Sequence, residues 1–229
     1  MKYRLVTFIS ALAFVAGLGG IPNSALASSL DYAEHTPGGD FLNEGTRDYR
    51  AGNYGRALGN FRRAARWAEK LAQHNIGVMY YHGQGLDQNL PRALAWFRLS
   101  AERQYPQMVE MVDHVESELD EEQIARAETI LEEELLPEYG DEVAVPRTAR
   151  RMDRERRRAT GSRTGAIGAL TVIDRSGRTR SGRDFYDDDK WDFFQIVEFE
   201  TELFEGLAGG QVRLRDVETE EDSSPESDD

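Results

Sequence analysis

No cysteine occurs among the 229 residues. That excludes disulfides, thiolate metal centres, a thiol nucleophile and a lipid anchor carried on cysteine. Histidine is scarce too, limited to His35, His74, His82 and His114. His74 and His82 stand eight apart, not the three or four that set two ligands on one helix face. No metal and no other cofactor is expected, and His82 reads as a partly exposed packing residue. Ser-x-x-Lys and Gly-x-Ser-x-Gly are both missing. Thr160-Gly161-Ser162-Arg163-Thr164-Gly165 could cradle an anion, but it lacks the lysine of a phosphate-binding loop and reads better as a helix end leading into a strand. Asp187-Asp188-Asp189 lacks the frame of a calcium loop and reads as an acidic turn before a Trp191 strand. With no catalytic constellation, the expectation is a protein that is not an enzyme.

Long apolar runs are also lacking. The longest, Leu5 to Leu18, falls short of the roughly 20 residues a membrane-spanning helix needs. Lys2 and Arg4 precede it, Gly19, Gly20 and Pro22 break it, and Ala25-Leu26-Ala27 supplies small residues for a signal peptidase. A secretory signal over 1–27, cleaved after Ala27, is expected, which makes the mature protein periplasmic or secreted.

The formal net charge is −14, and loss of Lys2 and Arg4 takes it to −16. A chain this acidic does not seek nucleic acid as a whole. The charge is unevenly placed. Every charged residue from Asp216 to Asp229 is acidic, whereas Arg147 to Arg183 holds twelve arginines against Asp153, Glu155 and Asp174.

What the sequence does hold is a repeat. Ala57-Leu58-Gly59-Asn60-Phe61-Arg62-Arg63-Ala64-Ala65 matches Ala93-Leu94-Ala95-Trp96-Phe97-Arg98-Leu99-Ser100-Ala101 at five positions, each 36 residues apart. The shared residues Ala57, Leu58, Phe61 and Ala65 fall on one face of a helix. Another helical stretch precedes each, Phe41 to Arg50 and Leu71 to Tyr81, across a glycine-bearing turn. A single helical hairpin cannot bury its apolar face, but stacked hairpins cover one another.

The stretch from Ala72 to Gln107 resembles the Sel-one-like repeat, a subfamily of the tetratricopeptide solenoids. It carries Ile76-Gly77, Tyr80, the Gly83 and Gly85 turn, Leu86, Asp87, Ala93, Trp96 and Ser100-Ala101. The first unit, with Tyr49, Gly52, Asn53-Tyr54, Ala57-Leu58 and Phe61, resembles a general tetratricopeptide hairpin without the long turn. After Tyr105 the usual small residues give way to Met108, Val109, Met111 and Val112. The resemblance implies a scaffold that binds protein partners on a concave groove, and the helical period puts Asn43, Arg47, Asn75 and Met79 on the first helices expected to line it. Ala57, Phe61, Gly77, Tyr80, Gly83, Gly85, Ala93, Trp96, Phe97 and Ala101 are the structural positions.

The fold expected is mainly α: a linker over 28–40, then a solenoid of about two hairpins over 41–136. Its closing helix starts at Asp120 and carries Leu119, Ile124, Ala127, Ile130 and Leu131 on its apolar stripe. Pro137, Gly140 and Pro146 mark an exit, and 137–161 reads as linker and basic helix. Over 162–217 a small antiparallel β element is expected, with strands at Ala169 to Ile173, at Val197 to Leu203 and, after Gly209-Gly210, at Val212 to Leu214. The acidic segment 218–229 has almost no apolar content and is expected to be disordered. Arg150, Arg154, Arg157 and Arg158 could form one basic face. It could meet an anionic envelope surface such as lipid or lipopolysaccharide, dock on acidic parts of the same chain such as Glu132-Glu133-Glu134 or the tail, or be simply solvated. Neither a particular partner nor an oligomeric state follows from the sequence.

Overall fold

The computed structural model describes residues 36–160, 171–173, 179–185 and 188–208. The expected signal segment, the Gly161–Gly165 loop, Asp187, the strand at Val212 to Leu214 and the acidic tail lie outside them. No helix among the described residues is long and apolar enough to cross a membrane.

Two helical hairpins open the fold: α1 (Gly39–Arg50) with α2 (Tyr54–Ala65), and α3 (Lys70–His82) with α4 (Leu90–Ser100). The helices of each hairpin pack on one another, and α2 packs on α3 to stack the units. The start of α4 follows from its sequence. Asn89 accepts a hydrogen bond from the Arg92 amide at 2.9 Å, and Pro91 sits in the first turn, where its missing N–H costs nothing.

The two units correspond in detail. Phe61 and Phe97 are both buried, at 1% exposure each. A Cβ on Gly45 would meet the Phe61 ring at 2.6 Å, and one on Gly77 would meet the Phe97 ring at 2.8 Å. Each phenylalanine of the second helix thus seats on a bare glycine of the first. Both units also end in the same left-handed residue, Ala68 (φ 63°) and Gln104 (φ 56°), again 36 apart. On the first helices the offset is 32, because the second turn is longer. That turn needs its glycines: Gly85 has φ +76°, and a Cβ there would lie 2.5 Å from the Tyr54 Cβ. The turn of the second unit therefore rests on the start of α2 in the first.

Beyond α4 a 3-10 turn (Ala101–Arg103) leads to α5 (Pro106–Glu116) and α6 (Glu121–Ile130), each packed on α4. Asp120 caps α6: it accepts from the Gln123 amide at 2.8 Å, while its own amide donates to the Gln123 side chain at 3.1 Å. Ala127 and Ile130 are buried, with Leu119, Ile124 and Leu131 packed beside them. The main core therefore runs from Leu42 through Phe61, Ile76, Met79, Leu94, Trp96 and Phe97 to Leu135.

The expected exit at Pro137 is instead helical. A π-turn over Leu131–Leu135 joins α6 to α7 (Leu136–Tyr139). The proline ring would collide with the Glu133 carbonyl of a regular helix, and the wider turn gives it room. Pro146 lies inside α8 (Asp141–Thr160) rather than in a linker. The basic helix is the second half of α8.

The β element is a short hairpin, β1 (Thr171–Ile173) with β2 (Thr179–Ser181), antiparallel with Val172 opposite Arg180. After it come two single-turn helices, α9 (Gly182–Phe185) and α10 (Asp188–Trp191), and then α11 (Phe193–Ala208). The strand expected over Val197 to Leu203 is wrong, as is the Trp191 strand. The alternation of Glu198, Glu200 and Glu202 with apolar residues suits a strand, but Phe193, Ile196, Glu200 and Phe204 also share one helix face. Packing decides between them: Phe193 and Ile196 are buried against Ala68, Ala144 and Met152.

Candidate functional site

Three features are candidates for function. The first is the row of first-helix residues. Asn43 and Arg47 are exposed on α1. Their counterparts 32 residues on, Asn75 and Met79, fare differently: Asn75 is half-buried and Met79 is fully buried in the core. Met79 therefore cannot reach a partner. The second unit is covered on both sides, by α2 and by the helices after α4, so an apolar residue at this position is drawn inside. Tyr80 is half-buried, and its hydroxyl accepts from Arg62 at 3.1 Å. The equivalent Arg98 also reaches forward, to Glu116 at 3.0 Å and to Glu128. Matched arginines thus clip each unit to its successor in the stack.

The second surface is the basic face of α8. Arg150, Arg154, Arg157 and Arg158 are all exposed and share one side of the helix. Arg157 bonds Asp153 at 2.9 Å, one turn back. Glu134, in the acidic run that was one candidate dock for this face, is held by Arg92 in a two-bond pair at 2.7 and 3.1 Å.

The third is a buried ion cluster that the sequence reading missed. Lys70 is 3% exposed. Its ammonium lies 2.6 Å from Glu102 and 3.0 Å from Asp141, and it donates to the Leu99 carbonyl at 3.1 Å. Arg103 grips Asp141 with two nitrogens, at 2.8 and 3.1 Å, donates to the Ala68 carbonyl at 3.1 Å, and turns its remaining nitrogen to Glu200 of α11 at 2.8 Å. The Tyr105 hydroxyl donates to the same Glu200 oxygen at 3.4 Å. Glu69, also buried, accepts from the Thr36 hydroxyl at 2.6 Å.

Burial and the nearby Glu200 carboxylate push Glu69 up to about 8. Burial likewise raises Glu200, although Arg103 opposes it. Burial works against the charge of Arg103, but Glu200 and Asp141 outweigh it and hold the guanidinium above its ordinary range. Asp141 is held low in return: burial opposes its charge, and Arg103 and Lys70 overcome that. Lys70 is pulled down by burial more than its carboxylates hold it up. Such a cluster fixes geometry. Its net worth to stability is small, while removing one member is expensive. One sequence signal pointed to it: Glu69-Lys70 and Glu102-Arg103, acid followed by base, stand at the two junctions between units.

Among the described residues, no group of three or more histidines or carboxylates could hold a metal ion. His74 is fully buried against the Phe97 ring, 5.1 Å between centroids, and burial lowers it to about 4. His82 is exposed and packs edge-on against Tyr81.

A search of family models matches the Sel1 repeat at residues 39–73 and 70–105. The first unit, which resembles a general tetratricopeptide hairpin, thus also matches the Sel1 form despite its short turn. No curated protein and no solved structure matches the chain. Sel1 repeats mediate protein–protein interaction and form a scaffold family without catalytic activity of its own. The matches coincide with the two stacked hairpins and their paired Gly–Phe seats, so residues 39–105 of the chain carry two Sel1 repeats.

Proposed function

We propose that the protein is a non-catalytic adaptor, exported to a bacterial envelope, that holds a protein partner on its helical stack. The observation that carries this reading is the pair of Sel1 hairpins sharing one buried seam, with Asn43 and Arg47 exposed on α1. The amino-terminal Lys2, Arg4, Leu5–Leu18 and Ala25-Leu26-Ala27 pattern supports export. Two measurements test it. Amino-terminal sequencing of the protein from its native host should begin at Ser28. A photocrosslinker placed at Asn43 or Arg47 should capture one stoichiometric protein in envelope preparations. Retention of Met1 in the cytoplasm would remove the export claim, and no stoichiometric adduct at either position would remove the adaptor claim.

A second reading is favoured by one observation, the shared exposed face of Arg150, Arg154, Arg157 and Arg158. Through it the protein would bind an anionic surface such as lipid or lipopolysaccharide. Binding to anionic vesicles that falls steeply between about 50 and about 200 mM salt, and is lost when the four arginines become glutamine, supports this reading. Binding that ignores salt counts against it.

A further inference from the structure

One side of α8 is buried and the other is charged. Ala144, Thr148 and Met152 face inward, and α10 and α11 bring Trp191, Phe193 and Ile196 against that side. Arg150, Arg154, Arg157 and Arg158 are exposed on the side away from it. With about 3.6 residues per turn, the four fall within about 100° of arc. Arg157 is met by Asp153. Arg150, Arg154 and Arg158 make no hydrogen bond or ion pair among the described residues. Like charges this close repel one another, and an acidic cover relieves that repulsion.

Several acids around α8 already have partners. Glu155 holds Arg151, Asp141 holds Lys70 and Arg103, Glu138 holds Arg66, and Glu134 holds Arg92. The segment 216–229 is the richest remaining source, with eight acids and no base. Chain length lets it arrive. α11 runs opposite to α8: Ile196 lies in the cluster of Met152, while Glu200 and Asp141 share Arg103. Ala208 ends α11 about 12 Å beyond Glu200, and Arg154 lies about 20 Å along α8 from Asp141, so about 30 Å separate the two. Residues 209–215 span up to about 23 Å, and 216–229 up to about 46 Å more.

We propose that the acidic segment 216–229 docks in cis across the exposed arginine face of α8. A single exposed pair is weak and is screened by salt. Several pairs on one tether act together, because the tether holds the acids at a high effective concentration. The docking goes beyond both readings above and depends on neither. It covers the face that the second reading offers to an anionic surface, so the segment and that surface compete.

The chain has no cysteine, so Thr219→Cys in the full-length protein gives one thiol for a nitroxide. At about 50 mM salt the label should broaden the amides of 150–158 several-fold more than those of 121–126 on the exposed α6. At about 500 mM the excess should disappear. Changing Arg150, Arg154, Arg157 and Arg158 to glutamine should remove it at either salt. Equal broadening of the two helices, or an excess that survives the arginine changes, overturns the docking. In a mixture, the nitroxide rides on one copy and the isotope label on another. An excess there as large as within one chain assigns the acids to a second copy and overturns docking in cis. Vesicles of phosphatidylglycerol and phosphatidylcholine in equal parts probe the competition. With the eight acids changed to their amides, binding should rise at least about tenfold. A rise that does not come, where the unaltered protein binds, overturns the competition. Vesicles that neither protein binds remove the second reading, while the nitroxide result still decides the docking.

Discussion

The seat of Phe97 on Gly77 decides the sign of the smallest possible substitution. Alanine is the better helix former by about 1 kcal/mol, but here its methyl would lie 2.8 Å from a ring that is 1% exposed and cannot retreat. Gly77→Ala should therefore destabilise by about 1–3 kcal/mol, seen as a lower urea midpoint with unchanged slope. Gln104 offers the opposite case. It is exposed and sits at φ 56°, where a side chain is disfavoured by roughly 1–2 kcal/mol. Gln104→Gly should stabilise by up to about 1 kcal/mol, the lost bond to the Ala101 carbonyl taking back part of the gain. Glu69 gives a pH dependence. Its carboxyl titrates higher folded than unfolded, so its contribution is full below its ordinary range and is lost as pH rises towards 8. His74, lowered by burial, gives the opposite slope below about 6.5. Between about pH 6.5 and 8 the wild type should therefore lose stability by up to about 1.4 kcal/mol per pH unit, and Glu69→Gln should flatten that decline. Parallel curves for the two proteins would show that the Glu69 proton is not linked to folding.

Among the elements, α6 has a start that is fully legible. Asp120 before an acidic turn and an apolar stripe is the pattern of a capped helix, and both bonds of the cap are formed. Asp120→Ala should cost about 1 kcal/mol, and hydrogen exchange should quicken first over 121–124. The hairpins were legible for a related reason: the 36-residue echo that joins Phe61 to Phe97 reports a buried seam, and only a repeated seam produces it. The groove residues were less so. Period placed Met79 beside Asn75 on the first helix, but whether that face is open depends on which unit has neighbours on both sides. For α11, local pattern alone was ambiguous, since alternating glutamates fit a strand while Phe193, Ile196 and Phe204 fit a helix. What settles it is Ala68, Ala144 and Met152, which arrive from distant parts of the chain. The ion cluster was hidden likewise, because Arg103 and Glu200 are 97 residues apart.

At the scale of the molecule, stability should be graded along the stack. Phe61 belongs to the end unit and Phe97 to the one covered on both sides, so truncating the two rings should not be equivalent. Each should cost about 3–5 kcal/mol locally. Phe61→Ala should expose 39–65 to hydrogen exchange while the amides of 90–130 stay protected, whereas Phe97→Ala should open the whole stack. Equal loss of protection in both variants would mean that the array melts as a single unit. Asp141 sets a further limit. It takes Lys70 at the first residue of the second repeat and Arg103 near its last, tying both ends of that repeat to one carboxylate. Ordinary helical arrays lengthen over evolution by copying a unit in tandem. A duplicated 70–105 segment here would bring a second lysine and arginine with no second aspartate to close on, so each added copy would bury unpaired charge.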